Sequence, residues 1–509
     1  MPLADAYHAK IVRYLSVSGY LWYNNDTKAR KGFVMQLVGR KNEVRTLEWD
    51  LQKSESQFVA IYGRRRVGKT YLIRELFNNS FTFSHTGLRG GDKKAQLAAF
   101  RSSLVKHGHA KCPVLKNWVA AFEELDKLVS AAPNGKKILF IDELPWMDTP
   151  KSDLLVGLEG FWNGRASARA EKDVFLVVCG SASSWIVKNL LGDTGGLYGR
   201  LTDRLWLRPF TLAECEKYAE RLGIAMSRQE LCEVYMIFGG VPYYWNLLRP
   251  DMSLAQNIDT LFFSEHGALR DEFGFLYSSI FRNAHNHIAI VEALSKRKSG
   301  LTRDEIASAA KQKPGGNFKT RLMELEQCDF IRKYLPPDKK NRGAVFQLID
   351  NFTLFHYAFA AACGERDEHL WTNSQASPRL AAWRGLSFER VCLQHVEAIK
   401  KALGISGVRT SAYSWRSSGS EGDGGAQIDL VLDRGDGVVN LCEMKYSSGP
   451  YEIDAEEAAR LKSRKEVFVR ETGTRKTCRT TLVTSAGLKP GKYRWTAEAE
   501  VTLDDLFSE

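Results

Sequence analysis

No uninterrupted apolar run approaches the roughly 18 residues that a membrane-crossing helix requires. The opening MPLADAYHAKIVRYL also lacks an unbroken apolar stretch of the signal-peptide kind. A cytoplasmic protein without a membrane partner is therefore expected. Cysteine is sparse: the nine residues at positions 112, 179, 215, 232, 328, 363, 392, 442 and 478 are odd in number, dispersed and never in CxxC spacing. That pattern argues against a disulfide framework or a zinc knuckle, and predicts reduced, mostly buried thiols. Proline is scarce too, 14 in 509 residues, while hydrophobic residues reach 44% and charged residues 26%. A mainly disordered or collagen-like chain is excluded. At about 100–200 residues per domain, three or four domains are expected, each able to bury its own core.

Acidic residues are in deficit, 60 Asp and Glu against 72 Lys and Arg, for a net charge of +12. Such a balance favours polyanionic partners. The surplus is uneven: residues 281–350 hold 14 Lys and Arg against 8 Asp and Glu, whereas the last quarter of the chain is nearly neutral.

The apolar run FVAIY at 58–62 reads as a buried strand and leads directly into Gly63, Arg64, Arg65, Arg66, Val67, Gly68, Lys69 and Thr70. This is a complete GxxxxGK[ST]. Tyr71 opens the next segment, where Leu72, Ile73, Leu76 and Phe77 recur at helical spacing. Strand, glycine loop and helix thus follow in the order a phosphate-binding loop needs. Its backbone N–H groups would face the phosphates, Lys69 would reach the β and γ phosphates of ATP, and the Thr70 hydroxyl would ligate Mg²⁺. A second strand, ILFI at 138–141, ends in Asp142 and Glu143. Asp142 suits the Mg²⁺ and Glu143 the attacking water, although an acidic pair at that place also suits a helix cap. A third strand, VFLVVC at 174–179, ends in Gly180 and Ser181, where a polar side chain would sense the γ phosphate or simply make a turn.

Together these segments resemble the archaeal-type P-loop ATPases of prokaryotes, AAA+ relatives near the origin-recognition and STAND branches. The resemblance covers GRKNE at 39–43, YGRRRVGKT, ILFIDELPWM, VVCGSASSW, LYGR at 197–200 and GGVP at 239–242. It implies that Gly39 and Arg40 lie near the adenine and that Gly240 to Pro242 belong to a helical lid over the nucleotide. It also implies that Arg200, with Arg204 behind it, is an arginine finger or sensor; a structural ion pair is the other reading. Residues 1–34 precede the usual start of the family and read either as an extension or as a misassigned start. The resemblance admits a homo-oligomer of the AAA+ type.

From Ile288 onward three short helical segments separated by Gly300 and a Pro-Gly-Gly turn are followed by two strand-like runs, 330–334 and 344–349, flanking the polar tip PPDKKNRG. That order reads as a winged helix. In this reading Asn317, Lys319 and Arg321 open a recognition helix toward duplex DNA, and Lys339, Lys340 and Arg342 of the wing touch phosphate. Winged helices also serve as spacers or protein contacts. His285 and His287 have no further ligand nearby in sequence and are not read as a metal site.

Near the C-terminus a helix-like segment carrying Phe388 and Glu389 precedes two strands, QIDLVL from 427 and VVNLCEMK from 438, joined by the turn DRGDG. One strand carries Asp429 and the other Glu443 and Lys445, two apart and so on one side. The arrangement resembles the PD-(D/E)xK nuclease fold. The resemblance implies that Asp429 and Glu443, with Glu389, hold Mg²⁺ or Mn²⁺ and that Lys445 steadies the nucleophile. A retained fold without activity is the alternative.

The expected architecture is α/β: an N-terminal extension (1–34), a P-loop AAA+ ATPase core (35–210), a helical lid (211–280), a winged helix (281–350), a linker helix (351–380) and a restriction-endonuclease-like domain (381–509). The expected function is an ATPase that binds DNA and controls a metal-dependent nuclease, in defence or mobile-DNA processing and with room for a protein activator. The rival is a STAND-like switch that binds DNA or protein without cutting.

Overall fold

The computed structural model describes residues 37–167, 171–181, 183–192, 197, 199–281, 283–334, 344–362, 367–417 and 426–508. Residues 1–34, expected to be an extension, and Lys339, Lys340 and Arg342, expected in the wing, lie outside them. The chain divides into two compact units between Arg208 and Pro209.

The first unit opens with α1 (Lys41–Gln52) and β1 (Gln57–Tyr62), followed after the glycine loop by α2 (Lys69–Leu76). Next come β2 (Phe83–Thr86), α3 (Lys93–Lys106), α4 (Trp118–Ala131), β3 (Lys137–Asp142), β4 (Val174–Gly180) and β5 (Asp203–Trp206). The five strands form one sheet in the order β2-β3-β4-β1-β5, and every pairing is parallel. An all-parallel sheet needs cover on both faces, and the central strands have the composition for it. Phe58, Ala60, Leu139, Ile141, Leu176 and Val178 pack into one apolar cluster, while Val59, Ile61, Phe140, Phe175 and Val177 join a second on the opposite face. The two-residue alternation of a strand separates the two sets.

The second unit begins with α5 (Leu212–Arg221) and α6 (Arg228–Phe238), each started by a capping box, Thr211 with Glu214 and Ser227 with Glu230. Further on lie α7 (Ala284–Ser295), β6 (Leu301–Thr302), α8 (Arg303–Ala309), α9 (Gly316–Gln327), β7 (Ile331–Tyr334) and β8 (Val345–Leu348). Here the strands pair antiparallel in the order β6-β8-β7 beside the three helices. After α10 (Asn351–Ala358) and α11 (Pro378–Gln394) come β9 (Thr410–Arg416), β10 (Gln427–Arg434), β11 (Val438–Lys445), α12 (Ala455–Thr472), β12 (Thr477–Thr484) and β13 (Ala499–Thr502). This mixed sheet runs β9-β10-β11-β12-β13, antiparallel across the first three strands and parallel across the last three.

Residues 211–280, 281–350, 351–380 and 381–509 read as separate segments from sequence, yet one buried apolar cluster runs from Phe210 to Phe507 through all of them. Polar contacts follow the same path. His395 Nε2 accepts from the Leu212 amide at 2.9 Å, and Asn351 donates to the Tyr235 carbonyl at 2.6 Å.

Gly240 is fixed by packing. Its carbonyl accepts from the Phe210 amide at 2.6 Å, and a Cβ built there would lie 1.8 Å from the Phe210 carbonyl oxygen. Gly240→Ala is expected to cost about 1–3 kcal/mol through forced backbone displacement. A thermal-unfolding midpoint several degrees below wild type is predicted; an unchanged midpoint would contradict this packing.

Candidate functional site

The glycine loop lies between β1 and α2, at the C-terminal edge of the first sheet. Gly63 (φ +142°), Arg66 (φ +71°) and Gly68 (φ +94°) turn the backbone through the left-handed side of conformational space. A run of this kind aims successive N–H groups into one concavity, the device by which a loop at a helix N-terminus cradles phosphate. At Gly63 space matters as well, since a Cβ would meet the Leu207 carbonyl oxygen at 2.3 Å. Lys69 Nζ donates to the carbonyls of Gly63 (2.8 Å) and Arg64 (2.9 Å), folding the loop around its own ammonium. Arg64 and Val67 are buried, Arg65 lies over the Trp146 ring, and Tyr71 is exposed.

Arg40, from the predicted N-terminal box, adopts φ +58° just before α1. Its guanidinium donates to the Val67 carbonyl at 3.0 Å and the Arg208 carbonyl at 2.7 Å. Arg40 thus clamps the loop from behind, with Gly39 (φ +66°) beside it. Pro242 is buried at the first turn of a short helix, Pro242–Trp245, in the second unit. Arg200 is exposed on a turn after Gly199.

Asp142 and Glu143 close β3. Thr70 Oγ1 donates to Asp142 Oδ2 at 2.8 Å, bringing together the two predicted Mg²⁺ ligands. Burial pushes the Asp142 carboxyl above its ordinary range against the opposing bond from Thr70, with the Glu143 charge adding to the rise. A divalent cation would relieve the cost of that buried charge, so hydroxyl and carboxylate fit the ion. Glu143 has φ +49°, uncommon for a residue with a side chain and the kind of backbone outlier found at functional sites. Its carboxylate accepts from the Ser181 amide at 3.0 Å and from the Ser181 hydroxyl at 2.5 Å. Ser181 at the end of β4 therefore holds Glu143 in place, a partnership that the sequence reading of Ser181 as a phosphate sensor did not include.

When bound, Mg²⁺ would neutralise phosphate charge between Thr70 and Asp142. Lys69 and the loop amides would hold the phosphates, and Glu143, fixed by Ser181, would orient a water and take its proton. Lys69→Ala is expected to lose nucleotide binding. Glu143→Gln is expected to bind ATP and turn it over about 10²–10⁴-fold more slowly; equal turnover would remove Glu143 from this role.

A second constellation lies on the mixed sheet. The register between β9 and β10 shifts between Ile428 and Val431, so Asp429 sits at a bulge, and Ser414 Oγ donates to the Asp429 carbonyl at 2.8 Å. Leu430 pairs with Cys442, and continuing that register sets Asp429 opposite Glu443. Asp429 Oδ2 accepts from the Met444 amide at 3.1 Å. Glu443 forms ion pairs with Lys445 at 3.0 Å and with Arg464 at 2.5 Å, and Lys445 also pairs with Glu457 at 3.0 Å. α11, which carries Glu389, packs on β11. Burial raises the Glu389 carboxyl, and the Glu443 charge adds to it. Glu389, Asp429, Glu443 and Lys445 therefore converge.

Glu457 and Arg464 on α12 are additions that the sequence reading missed. Their spacing of seven with Arg460 between marks one helical face, but only the fold brings that face to Glu443. Among the predicted DNA contacts, Asn317 and Lys319 are exposed in the first turn of α9, whereas Arg321 donates to Gln312 at 2.8 Å.

Burial, then the Glu443 and Glu389 charges, push Asp429 up to about 7. Folding favours the protonated carboxyl. The stability this group contributes is greatest below its ordinary value of 3.8 and is lost as the pH rises through about 7. Without divalent ions, the unfolding midpoint is expected to fall as the pH rises from about 4 to about 7, and Asp429→Asn is expected to flatten that fall. Identical profiles would contradict the assignment.

A family model described as "ATPase domain predominantly from Archaea" matches residues 37–248. An uncharacterized protein of Methanocaldococcus jannaschii, MJECL04, is 22% identical over 415 residues, 80% of this chain and 87% of its own length. An uncharacterized ATP-binding protein of the same organism, MJ0423, is 39% identical over 46 residues, 9% of this chain and 78% of that one. Among solved structures, the Walker-type ATPase PABY2304 of Pyrococcus abyssi aligns with a TM-score of 0.45 at 16% identity, covering 63% of this chain and 96% of that one. The Aeropyrum pernix ORC2 protein aligns with a TM-score of 0.40 at 12% identity, covering 72% and 97%. Residues 37–248, with their complete phosphate loop and paired Thr70 and Asp142, are an archaeal-type P-loop ATPase domain.

Proposed function

We propose that this protein is an AAA+ ATPase that binds duplex DNA through a winged helix at 281–350 and uses its nucleotide state to control a metal-dependent nuclease at 381–509. The carrying observation is the meeting of Asp429, Glu443 and Lys445 on adjacent strands beneath the helix bearing Glu389. The order of helix, antiparallel strands, helix and parallel strand resembles the PD-(D/E)xK fold. Hard carboxylate oxygens suit Mg²⁺ or Mn²⁺, so Asp429 and Glu443, with Glu389, would hold the ion. It would supply Lewis-acid stabilisation of the phosphate. Lys445, kept charged by Glu443 and Glu457 against the opposing effect of burial, would hold the attacking water or the developing charge.

Control by nucleotide has a physical candidate in Glu233 of α6, in the segment proposed as the lid. Its carboxylate accepts from the Tyr446 hydroxyl at 2.7 Å and pairs with Arg384 at 2.8 Å. Tyr446 directly follows Lys445, and Arg384 lies on the helix that bears Glu389. One carboxylate on α6 thus anchors both elements of the nuclease-like site. Asn317 and Lys319, with the basic balance of 281–350, support DNA contact.

The same site supports a second reading. Lys445 and Arg464 already neutralise Glu443, an arrangement that suits a retained fold serving a non-cutting switch. Supercoiled plasmid incubated with Mg²⁺ or Mn²⁺, with and without ATP, separates the two. Cutting that Glu443→Ala abolishes while ATP hydrolysis continues supports the nuclease; intact plasmid under every condition favours the switch. Duplex affinity should also fall steeply with salt, and salt-independent binding would remove the DNA reader.

A further inference from the structure

The loop after α3 holds a group of side chains that the ATP site and the nuclease-like site do not use. His109 and Cys112 are spaced H-x-x-C, and the Cys112 amide donates to the His109 carbonyl at 3.0 Å, closing a turn that sets both side chains toward α4. Arg101 fixes the far end, donating to the Cys112 carbonyl at 3.0 Å and the Pro113 carbonyl at 2.9 Å. Glu124 of α4 completes the group: an imidazole nitrogen, the thiol sulfur and a carboxylate oxygen all lie within 4.8 Å of one another.

We propose that His109, Cys112 and Glu124 form a binding site for a borderline-soft divalent cation of the zinc type. A thiolate, an imidazole and a carboxylate are a zinc donor set, whereas Mg²⁺ and Ca²⁺ take oxygen. Tetrahedral bonds of about 2.0–2.3 Å place donors about 3.5 Å apart. His109 Nε2 and Glu124 Oε2 are 2.5 Å apart, so a modest separation of these two would admit an ion. The Cys112 sulfur is buried, and its hydrogen bond, to the Pro113 carbonyl at 3.6 Å, is a weak one. Lys127 donates to the other oxygen of Glu124, Oε1, at 2.6 Å, leaving Oε2 for the cation. A ligating carboxylate is commonly braced in this manner. The imidazole of His109 is partly exposed, which gives an entry path and leaves the fourth position to water. Binding would release the thiol proton and tie the α3–α4 loop to α4.

The test uses the full chain, stripped with chelator, with Co²⁺ as the optical probe and Zn²⁺ as competitor. Wild type is expected to show a sulfur-to-cobalt charge-transfer band that saturates at one ion per chain and is removed by Zn²⁺. Cys112→Ser is expected to lose the band, and His109→Ala to weaken Zn²⁺ binding at least about tenfold in competition with a chromophoric chelator. Both variants should still bind ATP, which establishes that the unit is folded. His109→Ala stays informative should Cys112→Ser fail that control. No band in wild type, or Zn²⁺ affinity in His109→Ala equal to wild type, overturns the site.

Discussion

Each candidate site depends on carboxylates taken out of water. A buried carboxylate is stable only when paired, hydrogen-bonded or protonated, and this chain uses all three. Asp142 is bonded by Thr70, Glu143 by Ser181, and Glu233 by Tyr446 and Arg384. Glu443 lies between two cations, and Asp429 is shifted toward its protonated form. These requirements explain why residues far apart in sequence are held at fixed separations. A divalent ion would satisfy the same charges that Lys445, Arg464 or a proton otherwise satisfies.

In the second unit this constraint acts on top of a continuous apolar core. α5, α6, α11 and one face of the mixed sheet share buried side chains, from Phe210 through Phe388 and Met444 to Phe507. Displacing α6 would therefore strain the elements that carry Glu389 and Lys445. Close-packed interiors transmit such strain because they have little void to absorb it. Glu233 adds a directional polar link at the same place.

Much of the first site was legible in the sequence because its chemistry is local. GxxxxGKT between a strand and a helix specifies a loop within a few residues, and Asp142 and Glu143 were found at the end of an apolar run. The strand order β2-β3-β4-β1-β5 was not legible, nor was the clamp by Arg40, since both arise from contacts tens of residues apart. In the second unit the two-residue spacing of Glu443 and Lys445 exposed half of the site. Glu457 and Arg464 were hidden within a charged helix whose other charges are solvent-facing, and only the return of α12 against β11 distinguishes them. The apolar patterning of α6 and α11 gave their helical character but not their shared core, so one unit read as four. His109, Cys112 and Glu124 escaped because their set crosses from a loop to a helix and lacks CxxC.

Whether nucleotide state is felt at the C-terminal site is the central claim. Hydrogen exchange of the Cys442–Tyr446 segment measures it directly, with ATP-loaded Glu143→Gln compared against the nucleotide-free protein. A change in protection there that is reduced in the Glu233→Gln, Glu143→Gln double variant is the predicted result. Identical protection with and without ATP, alongside a clear change in the phosphate loop, would contradict the account.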